Sequence, residues 1–141
     1  MSDNHFTIAD NIQHFTIEDI AKESTDFRKV IWTGRHSQIV LMTVPVGGEI
    51  GDEVHEETDQ ILTFVAGTGH ADLAGETHPI EAGDQCAVPA GAQHNFRNTG
   101  DEPLVLYTIY SPPEHPADAQ YATKEEADAA EASGEDAPPQ A

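Results

Sequence analysis

Four side chains in the middle of the chain have types and spacings suited to holding a divalent metal: Glu53, His55, Gln60 and His94. Glu53 and His55 are two apart, so on an extended segment they project to one face, and Gln60, Leu62 and Phe64 share one face of the next segment. His94 comes from a separate run. A carboxylate with two imidazoles can hold Fe²⁺ as a two-His-one-carboxylate face with positions open for substrate or O₂, while Gln60 could add a weak fourth oxygen. Mn²⁺, Ni²⁺, Co²⁺ or Zn²⁺ suit the same ligands, because affinity alone selects poorly among them. Glu53 also stands in an acidic run with Asp52, Glu56, Glu57 and Asp59, a run that would attract cations nonspecifically. Asp59 is the rival of Gln60, and Glu53 is the candidate catalytic base.

These residues belong to a frame of fixed spacings. Gly47 is followed after five residues by Glu53, after one by His55, after four by Gln60 and after six by Gly67. Beyond a stretch of 15 residues, Gly83 is followed after five by Pro89, after one by Gly91, after two by His94 and after three by Asn98. The frame resembles the two-part signature of the cupin superfamily, Gly-x5-His-x-His-x3or4-Glu-x6-Gly and Gly-x5-Pro-x-Gly-x2-His-x3-Asn. The second motif is complete, and at average composition its five residues would coincide at a given position with a probability on the order of 10⁻⁷. The first keeps its frame but carries Glu53 for the family's first His and Gln60 for its Glu, and the six-residue count to Gly67 favours Gln60 over Asp59. The resemblance covers roughly residues 37 to 110. It implies an all-β fold, a small single-domain antiparallel jelly-roll barrel or double-stranded β-helix. A divalent transition metal would sit inside, with a small-molecule substrate or ligand, in a homodimer.

The elements that must position these residues are legible as short β-rich runs punctuated by Gly, Pro, Asn and Asp. Strands are expected near 27–33, 37–45, 53–55, 60–66, 68–73, 77–80, 85–88, 94–98 and 103–110, giving a barrel over residues 26–112. Residues 1–25 form an arm with a short echo, His5-Phe6-Thr7-Ile8 and His14-Phe15-Thr16-Ile17. Thr16 with Asp19 predicts a capping box and a helix over about 17–23. Residues 113–141 form an acidic tail rich in Pro and Ala. Thr123 with Glu126 predicts a second helix from Lys124 to Ala132, yet no apolar stripe follows, so the helix has nothing to bury and disorder is expected beyond Ser133.

Leu62, Phe64, Phe96 and Leu106 are candidate walls of a substrate pocket, with core packing as the alternative. Tyr107 and Tyr110 point to opposite faces of the last strand, so at most one lines the interior. His115, in a proline segment, could fold over the barrel mouth. Pro89 and Gly91 shape the turn that presents His94, while Cys86 is read as a small buried hydrophobe. His5, His14, His36, His70 and His78 receive no role.

The chain has 141 residues with 26 Asp plus Glu against 6 Lys plus Arg, a formal net charge of −20. So few bases cannot form the cationic face that nucleic acid or an anionic membrane requires. From Pro113 on, eight acids stand against Lys124 alone, so the tail carries −7 and the rest −13. Acidity is thus a property of the whole molecule. It fits either a self-repelling soluble surface or a halophilic one adapted to high salt. A single cysteine and the absence of a visible secretory signal or apolar span point to the cytoplasm.

Three functions compete. One is a metal-dependent enzyme acting on a small organic molecule, by dioxygenase-type chemistry or metal-assisted isomerisation. The second is a non-catalytic metal- or ligand-binding module. The third, a sugar isomerase or epimerase, would want cationic side chains for phosphate, and only Arg97 lies near the motif residues.

Overall fold

A computed structural model describes residues 12–139 of the chain; His5 and the first copy of the echo lie outside the described residues. The strands are β1 (Arg28–Thr33), β2 (Gln38–Val44), β3 (Glu53–Val54), β4 (Asp59–Ala66), β5 (Thr68–Leu73), β6 (Glu76–Glu81), β7 (Gln85–Val88), β8 (Gln93–Arg97), β9 (Leu104–Ser111) and β10 (Gln120–Tyr121). Helix α1 spans Ile17–Glu23 and α2 spans Lys124–Ser133. The nine expected strands match β1 to β9 within one residue at each end. Only β10 was not foreseen, since two residues are too short to show an alternation.

All pairings are antiparallel, in one sheet ordered β10-β1-β2-β9-β4-β7 and another ordered β3-β8-β5-β6. Residues from both sheets share one buried core, as a jelly roll requires. Register sorts its interior into layers. Gln38, Tyr110, Gln60 and Val88 lie in one row across the larger sheet, Val40, Thr108 and Leu62 in the next, and Met42, Leu106 and Phe64 below them. A polar layer therefore rests on apolar ones.

Leu62, Phe64, Phe96 and Leu106 belong to that apolar floor. Each is fully buried, and the Phe64 and Phe96 rings stand 5.6 Å apart. All four belong to the packed core, the alternative the sequence also left open for them. Tyr110 is buried in the interior, whereas Tyr107 faces α1 on the outside of the sheet. Cys86 is half-buried against the core, and burial raises its thiol pKa.

Helix α1 forms where predicted because Ile17, Ile20 and Ala21 recur at helical spacing and meet Ile31, Leu41 and Val105 on the outer face of the larger sheet. Thr16 does not cap it through its side chain, so the expected capping box is absent.

The tail departs most from expectation. In α2, Thr123 Oγ1 accepts the Glu126 amide at 3.2 Å and Glu126 Oε1 accepts that of Ala122 at 3.1 Å. Ala127 and Ala130 are buried, so the helix does have a face to bury. Small residues three apart let it approach closely, a pattern that a hydrophobic stripe does not reveal. Beyond Gly134, whose φ of 83° closes α2, Asp136 accepts from His115 Nδ1 at 2.9 Å and from the Tyr121 hydroxyl at 3.1 Å. Where disorder was expected past Ser133, this polar lock ties Asp136 to the segment that carries His115 and Tyr121.

Candidate metal centre

Each candidate ligand is held by a different local device. β3 pairs with β8 so that Glu53 sits directly opposite His94. The loop before Glu53 is pinned by Asn95, whose Oδ1 accepts the Gly51 amide at 2.9 Å and whose Nδ2 donates to Glu49. The Gly91 amide donates to the His55 carbonyl at 2.8 Å, tying the turn that launches β8 to the backbone of the other histidine. Gly91 does this at φ 88°, a conformation that L side chains rarely adopt. At the end of the second motif, Asn98 clasps its turn by donating to the Val44 and Glu102 carbonyls and accepting the Gly100 amide.

Glu53, His55 and His94 each present one ligand atom, and these lie within 4.8 Å of one another. Glu53 Oε1 is 3.5 Å from His55 Nε2, and both atoms are buried without a hydrogen-bond partner among the described residues. Gln60 Oε1 lies 3.1 Å from His94 Nε2. The outer nitrogens are occupied: His94 Nδ1 donates to the Ala92 carbonyl at 3.0 Å, and His55 Nδ1 faces Glu114 Oε2 at 3.3 Å. That arrangement fixes both rings with Nε2 turned inward, as metal-binding histidines require. Lone pairs from two imidazoles, a carboxylate and an amide oxygen then converge, and such a set repels itself unless a cation lies among them. The donors are those of a borderline transition metal, so the residues present fit one.

The same demand for positive charge shows in the titration of His55. Burial opposes its protonation, yet Glu114 and Glu53 outweigh burial and raise its pKa to about 9. Burial would likewise raise Glu53, but His55, Arg28 and His94 hold its carboxyl below the ordinary range.

Gln60 is 1% exposed, and its Nε2 donates to Thr108 Oγ1 at 3.1 Å and Tyr110 Oη at 3.2 Å, which turns its oxygen toward His94. Asp59 faces away and accepts the Ala90 amide at 2.8 Å. Between the two rivals, only Gln60 reaches the cluster. Two residues escaped the sequence reading. Glu114, counted there merely as one of the tail's acids, is held by the Thr58 hydroxyl at 2.9 Å and touches His55. Arg28 is buried at 3% exposure on β1. Arg97, by contrast, points outward into an ion pair with Asp72 at 2.8 Å and contributes nothing to the centre. His115 is buried with its ring 4.9 Å from Tyr110. A cleft of about 920 Å³ opens beside the cluster, with Thr58, Glu114, Arg35, His36 and Pro139 on its walls.

A family model described as "Cupin domain" matches residues 40–110. The chain belongs to the cupin family. Among relatives of this cupin, the uncharacterized protein YrkC of Bacillus subtilis is 39% identical over 124 residues, covering 82% of this chain and 65% of YrkC. The chain thus spans just under two thirds of that relative. The crystal structure of BH2720 from Bacillus halodurans superposes with a TM-score of 0.84 at 37% identity, covering 85% of this cupin and 96% of that chain. A predicted oxalate decarboxylase from Thermotoga maritima superposes with a TM-score of 0.53 at 28% identity, over 55% of this cupin and 68% of that chain.

Proposed function

We propose that this cupin holds one divalent transition metal through Glu53, His55 and His94, with Gln60 as a fourth ligand, and is an enzyme acting on a small organic molecule beside it. The observation that carries the reading is the pair of orphaned buried atoms, Glu53 Oε1 and His55 Nε2, aimed at the same point as His94 Nε2. A bound metal would supply Lewis acidity toward a substrate oxygen and, for a redox-active ion, electron transfer. The chain's own residues supply the rest. Glu114 orients His55, and Glu53 stays ionised and is placed to take a proton from a substrate carbon or hydroxyl. Tyr110 is kept protonated by burial, with its phenol free to donate a hydrogen bond. Phe96, against His94 at 5.9 Å, excludes water from below.

The similarity to a predicted oxalate decarboxylase supports metal-dependent chemistry on a small oxygen-rich molecule. The sugar-phosphate reading loses the support of Arg97, which is turned outward into its pair with Asp72. Metal analysis of protein prepared without chelators tests the proposal. One equivalent is expected in the wild type, with most of it lost in His55→Ala and in His94→Ala. Metal retained equally in both variants, or absent from the wild type, would sink it. Oxygen uptake or product formation with candidate substrates separates an enzyme from a non-catalytic metal-binding cupin.

A further inference from the structure

The cleft beside the cluster has a volume of about 920 Å³, within the range of pockets that enclose a small organic ligand. Four segments wall it: residues 34–36 between β1 and β2, residues 56–58 just after His55, residues 112–114 just after β9, and residues 138–139 of the tail. It is continuous with the candidate centre, because Glu114 belongs to its wall and lies 3.3 Å from His55 Nδ1.

Two features of the walls select one kind of occupant. The first is proline, with Pro112 and Pro113 on one segment and Pro138 and Pro139 on another. A proline ring offers an aliphatic face, loses no rotamer freedom when covered, and complements aromatic rings, as where proline-rich segments dock in aromatic-lined grooves. Both pairs are anchored. Gln38 Oε1 accepts the amides of Glu114 and His115 at 3.1 and 3.0 Å, which fixes the chain just past Pro113. Asp136 is held through its carboxylate by His115 Nδ1 at 2.9 Å and through its amide by the Ala130 carbonyl at 3.1 Å. Only Ala137 separates that anchor from Pro138, and a residue before proline is biased to extended backbone, so the tail wall is preorganised.

The second feature is charge. Arg35 and His36 stand on the walls with Glu56, Glu57 and Glu114, so an anion would meet more carboxylates than cations. Ionised carboxylates only accept hydrogen bonds, so the occupant they suit is neutral and brings a donor.

We propose that the cleft is a binding site for a neutral, flat, phenol-type molecule, whose ring covers the two proline pairs and whose hydroxyl donates to a wall carboxylate. The proposal rests on the reading that the cluster is a metal centre with a small organic molecule beside it, and it names the class of that molecule. The tail past α2 is then a specificity-determining wall, and Asp136 is the residue that positions it.

The test is calorimetric titration with 1-naphthol, 1-methoxynaphthalene, 1-naphthoate and glucose in about 0.5 M KCl, where the overall charge of the molecule is screened. Wild type is compared with Asp136→Asn and with the double variant Pro138→Ser, Pro139→Ser, and metal content is read on the same samples. Naphthol should bind the wild type more tightly than the ether that lacks the donor, the anion that shares the ring and the sugar that lacks it. Its affinity should fall by on the order of 10-fold in the proline variant, what burying about two methylene groups is worth, with metal content unchanged. Asp136→Asn, which alters no wall residue, should weaken naphthol in the same direction. Any of the other three compounds binding as tightly as naphthol would overturn the proposal, as would undiminished affinity in the proline variant. Normal metal content without naphthol binding would sink this proposal alone. Tail-dependent naphthol binding by a protein that holds no metal would uphold it and fault the metal reading.

Discussion

The contact between Glu114 and His55 decides how well the cluster is poised, because a ring free to rotate about its Cβ presents Nε2 only part of the time. Glu114→Gln keeps the shape and removes the charge. It should weaken metal affinity by about 10- to 100-fold, the usual cost of losing such a partner, as measured by competition with a chromophoric chelator. Unchanged affinity would reduce the contact to an accident of packing. At this scale the sequence was informative where spacing is local. Glu53, His55 and His94 come together as expected, and the count to Gly67 picked Gln60 over Asp59 because one residue changes which face of β4 a side chain occupies. Glu114 and Arg28 were out of reach. Glu114 acts on His55, far away along the chain, and nothing in the sequence neighbours of either residue announces burial of a charge.

Strands and turns were the most legible elements, since period-two alternation and glycine punctuation report directly on local backbone geometry. The tail was not, because its docking depends on a polar pair rather than on an apolar stripe. Asp136→Asn should cost about 1.5–3 kcal/mol, the worth of a hydrogen bond to a charged group, read from the denaturation midpoint. Acid should loosen the same lock. Burial lowers the pKa of His115, and although burial would raise Asp136, its contact with His115 and the charge of Arg28 lower it, so in both cases the unfolded chain takes up protons that the native one refuses. Stability from His115 is therefore complete above about pH 6.5 and declines below it, while that from Asp136 is lost only below about pH 4. In a series of melts, the advantage of the wild type over His115→Gln should shrink from pH 7 to 5. Its advantage over Asp136→Asn should hold until more acid conditions, whereas parallel curves throughout would show that neither group titrates on unfolding.

The molecule as a whole carries 26 acids and 6 bases, and among the described residues no helix is long and apolar enough to cross a membrane. Self-repulsion on that scale is screened by salt. The melting temperature should rise by several degrees between low and molar KCl, and by more than for a double variant in which exposed Glu56 and Glu57 are both changed to Gln. No gain with KCl would sink the salt-adapted reading of the surface. The cleft beside the candidate metal centre has a practical side as well. Pro138 and Pro139 stand on its rim, next to the wall that Glu114 shares with His55. A polyhistidine tag appended after residue 141 would be delivered to that rim, where its imidazoles would compete for the very ion being counted. A purification handle placed ahead of α1, which packs on the outer face of the larger sheet and lines no part of the cleft, keeps its imidazoles off that rim.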